Sequence, residues 1–373
     1  MNTIRPTLVE IHTADIHFGA MDPKVQYDIL MEQLVNKVAT IHFDIFYING
    51  DLFHHKFMGN SDVIFYASLF IDNVVNLCRS KGASLIILHG TASHDAGQLK
   101  LFYHYLANNN DIFIIDHAQF IITKGKRILC LPEEYNKGAF YYRQFLWYSG
   151  YYDSVCMHGN LKGAIYGCDA EDLGSNKNPT FDINSFEYCM GPIIAGHVHI
   201  GGCYQEHMYY SGSPLRWQFG EEQAKGFLIV IHNLQTHQYT VSMEEIKSFR
   251  YDTINLDEMI DCDPKEIINY LAKLKREGID FVKVRFTKYN PSTITALKSY
   301  YKLNTEVTID ASDVEFEKTI QENQKEDEKY SKYSYLTEPN LSPTEILVRY
   351  INDQKGCEFI TTDELIKILS DAI

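Results

Sequence analysis

Short apolar runs that stop at a histidine or an aspartate are the clearest pattern in the chain. "LVEIH" leads into Asp15 and His17, "FDIFYI" into Asp51 and His54, "SLIIL" into His94 and Asp95, "DSVCM" into His158, and "GPIIA" into His197 and His199. Runs this short and apolar predict buried strands rather than helices. Between them the spacing becomes helical: Val25, Ile29, Leu30, Leu34, Val35 and Val38 share one face over 24–40, and further helices are expected near 61–80 and 97–108. Alternation of strand and helix predicts a largely parallel sheet covered on both faces. "DIFIID", "AQFIIT" and "KRILCLP" follow as a meander, and "AFYYRQFLWYSGYY" reads as a helix whose aromatics serve packing. Residues 163–185 lack periodicity and read as a surface loop. "MYYSGSPLRWQFGEEQAKGFLIVIHN" and "QYTVSMEEI" supply antiparallel edge strands. Residues 1–248 thus form one α/β domain.

The pattern then restarts. Strand-like "YDTINLD", helical 263–276, alternating "DFVKVRFT", helical "PSTITALKSYYKL" and "TEVTID" make a small α+β domain over 249–312. In the alternating segment Phe281 and Lys283 fall on one face and Val282 and Val284 on the other. Lys273, Lys275, Arg276, Lys283, Arg285 and Lys288 form the densest positive stretch, read equally as a solvated face or a DNA contact. Residues 313–340 are highly charged and poor in apolar positions, as a linker is. In 341–373, Ser342, Pro343 and Glu345 open one helix and Thr361 and Glu364 a second. A pair of short helices buries little surface alone, so a partner-binding helical hairpin is expected there.

Composition narrows the class. The chain has 373 residues, 45% apolar and 13% aromatic, which fits a globular protein of two or three domains. No apolar run reaches the roughly 20 residues that span a bilayer, and the first residues lack a secretory pattern; a cytoplasmic protein is expected, with no membrane partner. The eight cysteines show no C-x-x-C pair, so reduced thiols are expected. A formal charge of −15 argues against holding nucleic acid by bulk electrostatics.

The candidate chemistry lies in the strand-end residues. Ligands at the carboxyl ends of strands converge on the edge of a sheet where α/β folds place their sites. Carboxylates and imidazoles without thiolates suit Mn²⁺, Fe²⁺ or Zn²⁺, and one aspartate can bridge two ions about 3.5–4 Å apart. Such a pair makes hydroxide near neutral pH, draws charge from a phosphoryl group and orients in-line attack, while a histidine outside the ligand set protonates the leaving alkoxide.

D-x-H, G-D, H-D, a lone His and G-H-x-H, in that order over residues 8–232, resemble the calcineurin-like metallophosphoesterase superfamily. The segment "YSGSPLRWQFGEEQAKGF" is similar to the nuclease subunit of the bacterial SbcCD complex and to the meiotic-recombination-eleven and phage recombination endonuclease families. The resemblance implies a two-sheet sandwich flanked by helices, a small α+β capping domain contacting DNA over 249–312, and a C-terminal helical hairpin gripping an SMC-like coiled-coil ATPase. It implies a 3′-to-5′ exonuclease and single-strand endonuclease acting in recombination, repair or replication, dimeric within its complex. Two divalent ions are implied, Mn²⁺ first, with Mg²⁺, Fe²⁺ or Zn²⁺ as substitutes. Asp15, His17, Asp51 and His199 would hold one ion, and Asp51, His158 and His197 the other. His94 would serve the leaving group, oriented by Asp95, and His54 would help place the phosphate. In the family an asparagine ligand of the second ion directly precedes the histidine matched by His94; here that residue is Ser93, in "GTASHD". Either Ser93 reaches the ion, or a water held by it does, or the second site is weak. The enzymatic alternative is a stand-alone phosphodiesterase or phosphatase on nucleotides or phosphoproteins; the non-enzymatic one is a scaffold with a crippled site.

Overall fold

The computed structural model describes residues 7–310, apart from 109, 136, 138, 148, 163–179, 237, 258, 260–261, 286–292, 294, 296 and 298–306. The expected linker at 313–340, the helical hairpin at 341–373 and most of the loop at 163–185 therefore lie outside the described residues, as does most of the helix expected at "PSTITALKSYYKL". The chain divides into two compact units. The first comprises Met1–Ile254, Asp263–Val284 and Leu297–Ile309, and the second Asn255–Cys262, Arg285–Ala296 and Asp310–Ile373.

In the first unit the strands run, in order, β1 (Thr7–Thr13), β2 (Ile45–Ile48), β3 (Ser84–Leu88), β4 (Ile112–Ile115), β5 (Gln119–Thr123), β6 (Lys126–Leu131) and β7 (Ser154–His158). After them come β8 (Asn160–Leu161), β9 (Thr180–Phe181), β10 (Ile193–Gly196), β11 (Gly202–Gln205), β12 (Met208–Tyr210), β13 (Gly226–Asn233) and β14 (Tyr239–Glu245). They form two six-stranded sheets, ordered β14-β13-β1-β2-β3-β4 and β11-β12-β10-β7-β6-β5, and β8 pairs with β9 alone. Each sheet is mixed. The runs β1 to β4 and β6-β7-β10-β12 are parallel, while β13, β14, β5 and β11 attach antiparallel. Strand–helix alternation alone suggested one largely parallel sheet; the two sheets are instead compatible with the two-sheet sandwich that the resemblance implies, the antiparallel meander at β5–β6 carrying the chain into the second.

Side-chain alternation explains how the layers stack. On β2, Ile45 and Tyr47 point to one face, where they join Leu8, Ile86, Leu88, Ile121, Ile128, Cys130 and Cys156 in a core shared by both sheets. Phe46 and Ile48 point to the other face and pack with the helices. Those helices are α1 (Pro23–Leu30), continued through a π turn at Met31–Val35 into α2 (Asn36–Thr40), and α3 (Asp62–Lys81). Asp22 caps α1 by accepting from the Lys24 and Val25 amides, and Pro23 opens it. Ser61 caps α3, and Gly82, left-handed at φ 62°, ends it. The outer face of the second sheet packs Leu129, Leu131, Val155 and Met157 against Tyr142 and Leu146 of α4 (Ala139–Leu146). This helix is shorter than the aromatic stretch suggested.

Beyond 248 the first unit continues with α5 (Pro264–Arg276) and a three-stranded sheet, β15 (Tyr251–Asn255), β16 (Phe281–Arg285) and β17 (Val307–Asp310), in that order. Val282 and Val284 are buried while Phe281 and Lys283 are half-buried, the alternation that the sequence predicts. In the second unit Leu256 donates its amide to the Arg285 carbonyl at 2.9 Å.

Candidate metal centre

Asp15 and His17 follow β1, Asp51 follows β2, His94 follows β3, His158 ends β7, and His197 and His199 follow β10. All these strand ends lie on one edge of the stacked sheets. Three groups of side chains offer ligand atoms within 4.8 Å of one another: Asp15, His17 and His199; Asp51, His158 and His197; and His17, His54 and His94. The first sheet supplies both aspartates together with His17, His54 and His94, and the second supplies His158, His197 and His199.

The backbone is bent to achieve this. Among the described residues seven non-glycine positions have left-handed φ, and four of them are Asp15 (51°), His17 (51°), Asp51 (50°) and His197 (94°). Each costs on the order of 1–3 kcal/mol and persists only where its surroundings hold it. Here the hold is a set of hydrogen bonds between loops: Asp15 N donates to Gly50 O at 3.1 Å, His17 N to Asp51 O at 3.0 Å, and His197 N to both Asp15 carboxylate oxygens at 3.0 Å. Gly90 is pressed so close that an added Cβ would lie 2.2 Å from Asp51 N and Oδ1.

The histidine tautomers follow from their partners. His158 Nδ1 lies 2.6 Å from the Asn49 carbonyl, and His199 Nδ1 lies 2.9 Å from Glu221 Oε1. Each must donate there, so in the neutral ring Nε2 of each carries a bare lone pair. His158 Nε2 faces Asp51 Oδ2 at 3.3 Å and Glu133 Oε2 at 3.5 Å, and His199 Nε2 faces His17 Nε2 at 3.1 Å. Thr91 Oγ1 sits 3.1 Å from Asp51 Oδ2, 3.0 Å from Glu133 Oε2 and 3.4 Å from His158 Nε2. One hydroxyl proton cannot satisfy three acceptors. Converging lone pairs of this kind, buried, are what a cation resolves, so the donor set fits divalent metal ions.

Electrostatics agree. Burial alone would raise Asp51, but His158, His17 and His94 outweigh it and hold its carboxyl well below the usual range. Burial lowers His17 well below an ordinary imidazole, leaving it neutral. Burial also works against a charged His158, yet Asp51, Asp15 and Glu133 together raise it well above its ordinary value.

Two expected details differ. Ser93 is exposed, and the strand-end position after Gly90 belongs to Thr91, whose amide also donates to Asp51 Oδ1 at 2.6 Å. Two further residues separate Thr91 from His94, and it is Thr91 rather than Ser93 that hydrogen-bonds to Asp51. Asp95 does not orient His94. Its carboxylate accepts from Phe53 N at 3.1 Å and Gly90 N at 2.7 Å, tying two ligand loops together, and burial beside Asp51 pushes it up to about 6. His94 Nδ1 instead donates to the His54 carbonyl, and Nε2 stands 4.0 Å from Asp51 Oδ2.

Four participants were not singled out from the sequence: Thr91, Glu133, Glu221 and Asn49. Glu221 gives the "FGEEQAKG" segment its role. Its Oε1 holds His199, its Oε2 accepts from Trp217 N at 2.8 Å, and buried Lys225 lies 3.4 Å away. Trp217 Nε1 reaches the Asp15 carbonyl at 3.1 Å. Glu133 follows β6 by the same strand-end rule as the aspartates and could have been found by admitting glutamate to that rule.

No family model matches the chain. A curated relative, "Putative phosphoesterase 244L" of Invertebrate iridescent virus 6, is 26% identical over 224 residues, which is 59% of this chain and 74% of its own length. One solved structure aligns over 64% of this chain and 99% of its own at 13% identity with a TM-score of 0.41. The protein of unknown function AQ665 from Aquifex aeolicus aligns over 44% of this chain and 82% of its own at 16% identity, with a TM-score of 0.21. Among the described residues no helix is long and apolar enough to cross a membrane.

Proposed function

We propose that the chain is a metal-dependent phosphoesterase, and that its substrate is the phosphodiester backbone of DNA. The observation that carries the first step is the excess of acceptors around Thr91, Asp51 and His158, with the Asp15–His17–His199 group beside it. Bound divalent ions would supply a water ionised near neutral pH and charge withdrawal from the phosphoryl oxygens. Asp15, His17, Asp51 and His199 would hold one ion, and Asp51, His158 and His197 the other. Glu221 and the Asn49 carbonyl keep His199 and His158 in the ligating tautomer. His94 stands at the rim with Nδ1 occupied by the His54 carbonyl, so Nε2 is the atom that can hand a proton to the leaving alkoxide. His54 is partly exposed, and burial with the neighbouring His94 and His55 keeps it neutral, able to donate to a phosphoryl oxygen. The name of the viral relative supports phosphoester chemistry.

DNA as substrate is supported by the "GDLFHH" and "YSGSPLRWQFGEEQAKGF" segments, which resemble those of the nuclease families. The net charge of −15 calls for a partner that supplies the grip; the helical pair that the capping signatures predict in 341–373 is the segment that the resemblance assigns to an SMC-like ATPase, in a complex holding two copies of this chain. The test is cleavage by the purified protein with Mn²⁺ of linear duplex DNA, circular single-stranded DNA and bis(p-nitrophenyl) phosphate. Cleavage of all three, lost in His94→Ala with metal still bound, is expected. Turnover of the small diester with neither DNA cleaved, alone or with the ATPase, would replace the nuclease reading by the stand-alone phosphodiesterase.

A further inference from the structure

Glu133 is 4% exposed, and its charged neighbours among the described residues are the imidazoles of His158 and His197. Its Oε1 accepts from the Tyr135 hydroxyl at 2.8 Å. Its Oε2 points into the second group of ligands, 3.5 Å from His158 Nε2, 3.4 Å from His197 Nδ1 and 3.0 Å from Thr91 Oγ1. The residue is fixed there by the backbone as well. It follows β6, which pairs in parallel with β7, the strand ending at His158, and its amide donates to the His89 carbonyl at 3.3 Å beside the β3 loop. Meanwhile the residue expected to complete this site from the stretch before His94, Ser93, is exposed to solvent.

We propose that Glu133 is the anionic oxygen ligand of the second divalent ion, standing where a neutral amide was expected, with Thr91 as the hydrogen-bond donor that seats it beside Asp51. This rests on the metal-dependent reading above. Its consequence is chemical. A site of Asp51, Glu133, His158 and His197 carries two carboxylates rather than one, so its second ion is bound as firmly by oxygen as the first and the site favours hard ions such as Mn²⁺ over softer ones. The second site is then not the weak one that a serine in place of the amide suggests. Thr91 fits the role because its side chain can donate to only one carboxylate at a time, and an ion between Asp51 and Glu133 removes the competition for that proton.

The test measures metal content rather than turnover. The full chain, stripped with chelator, is titrated with Mn²⁺ by calorimetry and read by electron paramagnetic resonance. Wild type takes up two ions per chain and shows the spectrum of a coupled pair. Glu133→Gln retains one ion at unchanged affinity, binds the second more weakly by on the order of 100-fold, the upper end of what partners of a metal site contribute, and shows an isolated-ion spectrum, as does His158→Ala. Two ions bound by Glu133→Gln with wild-type affinity and coupling overturn the assignment of Glu133 while leaving the metal reading intact. Wild type that binds no ion overturns both. Should the glutamine variant not fold, Glu133→Asp carries the same test: a second ion weakened at least several-fold with the first unchanged supports the proposal, and equal affinity for both overturns it.

Discussion

Glu221→Gln separates what a buried carboxylate does for a ligand from what it does for the fold. Glu221 is 7% exposed and serves three neighbours: His199 Nδ1 at 2.9 Å, Trp217 N at 2.8 Å, and Lys225 Nζ at 3.4 Å, where Lys225 is 2% exposed. In the amide one of the two oxygen positions, facing His199 Nδ1 or Trp217 N, becomes an NH2 group that cannot accept, and the Lys225 charge is left without its counterion. Loss of one partner of a buried ion pair costs about 3–5 kcal/mol. Lys225 keeps Ser213 Oγ and the His199 carbonyl, each at 2.9 Å, so the low end, about 3 kcal/mol, is expected. A released His199 can turn or change tautomer, and outer partners of this kind contribute about 10–100-fold in metal affinity, roughly 1.4–2.7 kcal/mol. Urea denaturation of the metal-free protein measures the first effect and Mn²⁺ titration the second. Adding Lys225→Met removes the unpaired charge and restores most of the stability without restoring affinity. If affinity returns together with stability in the double variant, Glu221 acts only on the fold and the tautomer argument is wrong.

Further expectations follow from the same geometry. Gly90→Ala places a methyl group 2.2 Å from Asp51 N and Oδ1; overpacking of about 1–3 kcal/mol and weaker binding of both ions are expected, and unchanged Mn²⁺ affinity would show that Asp51 is not the shared ligand. Saturation with Mn²⁺ at about 100 times the dissociation constant adds about 2.7 kcal/mol for each ion bound, about 5 kcal/mol for two, so the melting temperature rises by roughly 10–20 °C in wild type and by less in Asp51→Asn. Replacing His94 by alanine lowers DNA cleavage by about 10²–10⁴-fold with metal stoichiometry unchanged; a fall in stoichiometry would make His94 a ligand instead. In the inter-sheet core, Glu10 is ion-paired with Lys126 at 2.7 Å and His232 at 2.7 Å. Burial would raise Glu10, but Lys126, His12 and His232 prevail and hold it well below its ordinary 4.5. Its contribution is therefore present above pH ~4.5 and lost as pH falls through the lower folded value, so wild type loses more stability than Glu10→Gln between pH 5 and 3 in urea titrations; parallel curves would refute it.

Strand ends and their chemistry were readable because two signals coincide there: apolar runs that demand burial and polar residues that cannot lie inside a strand core. Asp15, His17, Asp51, His158, His197 and His199 all emerge from that coincidence and meet in space. Sheet membership was not readable, because β5–β6 and β2–β3 have the same apolar character and only pairing decides which sheet takes them. Loop register was hidden for a related reason. Gly90 fixes where the β3 loop turns, and counting back from His94 lands on Ser93, whereas counting forward from Gly90 lands on Thr91, the residue at the site. Glu133 and Glu221 escaped because a single glutamate in a polar segment looks like a solvated one until its neighbours are known.

The left-handed backbone at Asp15, His17, Asp51 and His197 has an evolutionary side. Glycine adopts that conformation without a steric penalty, so the ligand positions are places where mutation toward glycine relieves strain in the fold as it destroys the chemistry. Selection of this chain for thermostability alone would therefore tend to erode its metal site. A lineage that has ceased to use the site should show its first losses at these four positions, while Glu221 and Asp95, which tie the loops together, should persist longer as parts of the scaffold.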